Sequence, residues 1–407
     1  MSDHSHALTP PEVERFDNKH LGGLPKMLLG AGAIGCFISF IGFIFWRQQA
    51  SFSWLFAFAY FFTIAIGTLF WTCLHHATDA AWSVVVRRQL ENAASLLPYF
   101  AIFFIPLFFF GTSIFGKEGE LLWKWWSIPH GEDVLLDEKS GFLNHTFFTI
   151  RAIIYFALLS FVALSLKKRS VTQDSDGASK HTLIMRKFGI GGIPALALCI
   201  TFAGIDWLMA LDHHWFSTMW GVYLFAGAAG SSMSLLVLIV TALKNKGYLK
   251  PVSIEHYHIM GKFMLAFTIF WAYIGFSQYM LIWYANIPEE TIYYRIRNVG
   301  FWNVLSTFLV VGRFFLPFPI LLMQWTKKNP KYLCMVAGWI LFMQALDIYI
   351  IVLPACDKVG FSTSIFALSS LVGIGGFLGW LFLKKLSQTN LFPTRDPRLA
   401  ESIRLTN

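Results

Sequence analysis

Ten apolar runs divide the chain, and each is long enough, at about 20 residues of helix, to cross roughly 30 Å of hydrocarbon. They fall near residues 25–46, 53–74, 96–115, 143–166, 187–211, 216–243, 259–285, 301–325, 332–354 and 361–383, numbered here spans 1 to 10. The runs are continuously apolar, whereas strands of a membrane barrel alternate over about ten residues, so the pattern predicts an all-α polytopic bundle. Residues 1–24 and 387–407 read as polar tails around a single ten-helix transmembrane domain, 25–386. No cleavage-like sequence follows the first run, so a removable signal peptide is not expected.

Composition excludes a water-soluble enzyme. With 56% hydrophobic and only 14% charged residues, 42 Phe and 16 Trp would cover a soluble surface in aromatic patches, whereas lipid accepts Phe and the membrane interface accepts Trp and Tyr. The net charge of +9 lies mostly in short loops, which reads as topology and not as nucleic-acid binding. On the side of the tails the loops hold 22 Lys and Arg, Arg87 and Arg88 among them, against seven on the other side. The positive-inside rule therefore places both termini in the cytoplasm. The five cysteines stand singly, with no C-x-x-C or C-x-x-C-H, so no iron–sulfur, c-type haem or zinc site is supported.

Three basic residues remain, Arg151, Arg313 and Lys262, and all lie within spans. An internal repeat frames them. Ile205-Asp206-Trp207 followed by Phe216-Ser217-Thr218 is echoed by Leu346-Asp347-Ile348 followed by Phe361-Ser362-Thr363, and Thr146-Phe147 to Arg151 by Thr307-Phe308 to Arg313. Spans 2–5 and 6–9 then form two repeat-related four-helix bundles, with halves at about 53–211 and 216–354, and spans 1 and 10 are peripheral.

An ionised side chain at a helix centre costs about 2.5–3.5 kcal/mol on insertion scales, so each of these should face inward toward a partner. Depth along the helices predicts two buried pairs, Arg151 with Asp206 and Arg313 with Asp347. Helical spacing sets Asn144, Phe148 and Tyr155 on the stripe of Arg151, Asn303 and Ser306 on that of Arg313, and Gln344 on that of Asp347. Such pairs serve either a proton relay or polar pocket, or a salt bridge that locks neighbouring helices.

Span 7 is polar and aromatic, with Lys262, Thr268, Tyr273, Ser277, Gln278, Tyr279, Trp283, Tyr284 and Asn286. Tyr273, Gln278, Tyr279 and Trp283 are candidates to bind a quinone head group. At its cytoplasmic mouth Glu255, His256, His258 and Lys262 join His75, His76 and Asp79 as proton-gathering candidates, since His titrates near neutral pH; interfacial anchoring explains the same residue types. His213 and His214 follow Asp206 on the outer side, but neighbours on a helix point about 100° apart, so no metal ligation is expected. No His lies near a span centre, so bound haem is not expected, and any redox role must be shared with partners or a diffusing quinol.

These segments carry a resemblance. His75-His76-Ala-Thr-Asp-Ala-Ala-Trp82-Ser with Arg87-Arg88, Gly204-Ile-Asp206-Trp207-Leu-Met with Trp215-Phe-Ser-Thr, and the string from Phe270 to Glu290 resemble the NrfD/PsrC-type membrane subunits of bacterial alternative complex III, a quinol:cytochrome c oxidoreductase. The likeness runs from the first span to the tenth and is nearest to the shorter, ActF-type subunit. It implies a multi-pass protein of the bacterial cell inner membrane, working beside a sister NrfD-like subunit, an iron–sulfur protein and a multihaem cytochrome c. Haem c and iron–sulfur clusters would belong to those partners, with quinone or menaquinone as the only candidate ligand of this chain. The resemblance further implies a supporting role in quinol oxidation with proton conduction, for which Arg151, Asp206, Arg313, Asp347, His75, His76, Asp79, His258, Lys262, Tyr273 and Gln278 are candidate path residues. A structural subunit without transport and a stand-alone secondary transporter are the competing expectations.

Overall fold

The computed structural model describes residues 14–112, 114, 121–356 and 365–406. Ten of its helices are long and apolar enough to cross a membrane, so the chain is an integral membrane protein. Span 1 is Leu24–Phe45, span 2 Arg47–Ala77, span 3 Ala81–Gly111, span 4 His145–Asp176 and span 5 Lys180–Leu211. Span 6 is Trp220–Asn245, span 7 Ile254–Ala285, span 8 Gly300–Leu322, span 9 Pro330–Ala355 and span 10 Ile365–Leu386. Local signals fix the ends. The Asn144 side chain accepts the Phe147 N–H at the start of span 4, and Ser253 and His256 form a capping box at the start of span 7. Gly177 (φ 67°) and Asn286 (φ 51°) stop spans 4 and 7 in the left-handed region.

Within the first bundle, span 2 packs on span 3, span 3 on span 4, span 4 on span 5 and span 5 back on span 2. Spans 6, 7, 8 and 9 close a second ring in the same order, and the rings meet through spans 2, 5, 6 and 9. Spans 1 and 10 pair with one another against span 2. That pairing depends on small residues. A Cβ at Gly35 would lie 2.5 Å from backbone atoms of Ser369 and Gly373, and one at Gly67 would lie 2.1 Å from the Ala228 carbonyl where spans 2 and 6 cross. Close backbone approach is how helices gain contact where lipid offers no hydrophobic drive.

The described parts of both tails lie on one face. The Glu14 carbonyl accepts the Leu391 N–H at 2.9 Å, and Arg15 bridges Asn390. The largest departure from the sequence expectation is span 3, which begins at Ala81 instead of near residue 96. Its extra turns, Val84–Ala94, carry Arg87 and Arg88, expected in a loop but held on a helix with no exposure. Charge pairing with other segments on the tail side explains why a polar helix can sit inside. Phe361-Ser362-Thr363, the second half of one repeat echo, lies outside the described residues.

Candidate functional site: buried charge centres

Each ring of four helices holds one Arg and one Asp face to face. In the first, Arg151 Nε and Nη2 donate to the two Asp206 carboxylate oxygens at 2.8 and 2.7 Å, a bidentate fork. Arg151 Nη1 donates to the Phe142 carbonyl at 2.9 Å, and Tyr155, one turn along span 4, donates its hydroxyl to Asp206 at 2.7 Å. The rings of Phe142 and Phe147 cover the guanidinium, 3.8 and 4.2 Å from its carbon. Phe142 belongs to the connection ahead of span 4, so a loop residue closes this centre.

The second centre is built from spans alone. Arg313 Nη1 donates to Asp347 at 3.1 Å and Arg313 Nη2 to Gln344, while the Trp271 indole N–H and the Tyr223 hydroxyl donate to the same carboxylate at 3.0 and 2.5 Å. Trp271 also stacks on the guanidinium at 4.5 Å. Spans 6, 7, 8 and 9 contribute Tyr223, Trp271, Arg313, and Gln344 with Asp347. Gly227 on span 6 leaves the space: a Cβ there would meet Gln344 Oε1 at 2.8 Å and Arg313 Nη2 at 3.1 Å.

The two centres use unequal spacings, and the backbone absorbs the difference. Phe147 precedes Arg151 by four residues but Phe308 precedes Arg313 by five, and span 8 widens into a π turn at Val311–Phe315 around Arg313. One inserted residue rotates the N-terminal part of a helix by about 100° relative to its C-terminal part. Asn303 and Ser306, expected on the Arg313 stripe, therefore do not join it: Asn303 is exposed, and Ser306 donates to the Arg297 carbonyl at 3.2 Å.

A third charge centre sits on the tail side, and the sequence pattern alone does not assemble it. Arg87 Nε donates to Glu91 at 3.1 Å and Arg87 Nη2 to Asp396 at 2.7 Å; Arg88 pairs with Glu91 at 3.3 Å and with Asp174 at 2.8 Å. His76 Nε2 stands 3.7 Å from Glu91. Arg398 reaches Asp396 and Asp79, and Arg186 also reaches Asp79. Burial raises the Asp396 carboxyl, but Arg87 and Arg398 overrule it and hold the group far below the usual carboxylate range. Neither ring nitrogen of His75 nor either amide atom of Asn92 has a protein hydrogen-bond partner among the described residues, although both side chains are buried. The spacing of Arg87 and Arg88 from Glu91, four and three residues, is a legible helical signal. The partners from the C-terminal tail leave none.

The remaining candidates divide. His75 and His76 lie sealed at the end of span 2, about 1% exposed, instead of open at a mouth. His256 is buried in its capping box, whereas His258 faces Glu255, which Lys328 holds at 2.8 Å. Lys262 is exposed. On span 7, Trp271, Ile274, Gln278 and Ile282 face inward at a spacing of three, four and four, while Tyr273, Tyr279, Trp283 and Tyr284 look outward, Tyr284 being 83% exposed. The structure thus separates Gln278 from Tyr273, Tyr279 and Trp283, the aromatics expected to share a head-group site with it.

On the opposite face the loop residue Asp133 accepts from His213 and His214 at 3.0 and 2.6 Å and from the Leu136 N–H at 3.1 Å. The histidines above all hold its carboxyl well below the ordinary range. Compared with known protein families and with curated proteins, the chain matches no family model and no curated protein.

Proposed function

We propose that this chain is the integral membrane subunit of a bacterial respiratory quinol:electron-acceptor oxidoreductase of the inner membrane, with cytoplasmic termini, and that its buried charge centres conduct protons while electrons pass through partner subunits. One observation carries the proton role: each helix ring holds, within a largely apolar interior, an Arg–Asp pair joined by a tyrosine hydroxyl. A dry ion pair is costly to insert, and well-packed apolar residues often serve stability equally well. The pairs on one side and the His75, His76 and Glu91 centre on the other give titratable stations near both ends of the bundle. For a proton to use Asp206 or Asp347, the Arg must swing off the carboxylate and the tyrosine hydroxyl must turn. The sequence resemblance supplies the respiratory setting, and the outward aromatic face of span 7 suits contact with lipid, quinol or a sister subunit.

The test is Asp206→Asn and Asp347→Asn in the assembled complex, with quinol turnover and proton yield measured in vesicles. The proposal expects full assembly with a lowered proton yield for each. Wild-type yield and turnover in both variants would refute it. Failure to assemble would favour the second reading, a helix-locking subunit without transport, for which the bidentate Arg151–Asp206 fork speaks.

A further inference from the structure

Adjacent histidines on a helix diverge, but residues 212–214 are not helical. Beyond the end of span 5 the chain bends, and the His213 and His214 rings lie side by side with centroids 4.3 Å apart. Both Nε2 atoms aim at one carboxylate oxygen, Asp133 Oδ2, at 3.0 and 2.6 Å. The three candidate ligand atoms all lie within 4.8 Å of one another, though the residues are about 80 positions apart in sequence.

We propose that Asp133, His213 and His214 form a binding site for a divalent transition-metal cation, zinc by their ligand chemistry, on the face opposite the tails. Two imidazoles and one carboxylate are a recurrent donor set for zinc, which binds them at about 2.0–2.2 Å and leaves a further position for water. Ligand atoms around such an ion stand roughly 3.3 Å apart by tetrahedral geometry, so the two Nε2–Oδ2 separations of 3.0 and 2.6 Å must open by well under 1 Å, which side-chain rotation can supply.

Three features hold the donors in place before any ion arrives. Asp133 caps the short helix Val134–Glu138 through its other oxygen, which accepts the Leu136 N–H. Lys139 on the same connection donates to the His213 carbonyl at 2.6 Å, and Asp212 accepts the His214 N–H at 3.3 Å. Metal-site orientation depends on supports of this kind. A cation would take both rings as neutral Nε2 ligands beside the Asp133 carboxylate. His214 is 48% exposed at its side chain, so an ion has a way in.

The consequence is mechanical. The connection that carries Asp133 also carries Phe142, whose carbonyl and ring close over Arg151, while His213 lies just beyond the span that carries Asp206. An ion here clasps the loop to span 5 above the first charge centre. The site stands whether or not that centre moves protons.

The test uses the full chain purified with a tag free of histidine, stripped by chelator and titrated with cobalt(II), then zinc(II). One cobalt per chain is expected, with visible ligand-field bands that zinc abolishes. His213→Ala, His214→Ala and Asp133→Ala should each weaken binding by at least the roughly 10–100-fold that loss of an outer-shell partner costs, and His130→Ala, nearby and exposed, should not. To guard against misfolded variants, zinc protection of His213 and His214 from diethyl pyrocarbonate in the unaltered chain is a second readout. No cobalt bands with no protection, or binding unchanged in all three variants, overturns the proposal. None of these readouts depends on turnover or proton yield.

Discussion

The first charge centre borrows its cover from a loop, whereas the second is enclosed by four spans. Arg151 grips both oxygens of Asp206 and lies under Phe142 and Phe147. Arg313 touches one oxygen of Asp347 and also donates to Gln344 and the Met343 carbonyl, while Trp271 and Tyr223 donate to the same carboxylate. The same chemical pair is therefore solved in two ways. One is a bidentate two-residue fork covered by a loop residue; the other is a single-oxygen contact shared among four helices. Freeing the carboxylate asks Arg151 and Tyr155 to move at the first, and Arg313, Tyr223 and Trp271 at the second.

Removing the arginines breaks this comparison most severely. Arg313→Ala and Arg151→Ala each strand a buried carboxylate, and losing one partner of a buried pair typically costs about 3–5 kcal/mol. Thermal unfolding in detergent should show the larger loss for Arg313→Ala, because its network joins four spans; equal losses would erase the distinction. The tyrosines should have smaller effects. Tyr155→Phe and Tyr223→Phe each delete a hydrogen bond to a charged group, worth about 1.5–3 kcal/mol. Tyr223 ties span 6 to span 9, whereas Tyr155 only reinforces an existing fork, so the Tyr223 variant should melt lower.

The tail-side centre sharpens the contrast by pH. The Asp396 carboxyl is depressed in the folded chain, so its contribution is present above the unfolded value of about 3.9 and fades only as pH falls through the lower folded value. Limited proteolysis should find the C-terminal segment equally protected from about pH 8 to about pH 5. Release of the segment inside that window would show that its grip does not come from Asp396 with Arg87.

Much of this is readable along the chain where charge is scarce. Arg151, Asp206, Arg313 and Asp347 stand out against apolar runs, and a lone charge in a span must find an inward partner at its own depth, so the pairs can be deduced from position alone. The faces of span 7 are harder. A helix rich in Tyr and Trp on every side gives no moment to say which stripe is buried, and grouping Gln278 with Tyr273, Tyr279 and Trp283 mixes the two.

The sequence by itself determined the membrane, the ten helices and the two charge pairs, because insertion energetics act on local composition and on residues one span apart. Tertiary structure alone decided the contacts that join segments hundreds of residues apart or depend on backbone shape. Asp396 returns to Arg87 across most of the chain, a π turn absorbs an extra residue to keep Arg313 inside, and a bend turns His213 and His214 onto Asp133. Only the π turn leaves a trace, the five-residue spacing from Phe308 to Arg313 against four in the first repeat; the others are selected by the space and charge that distant segments present.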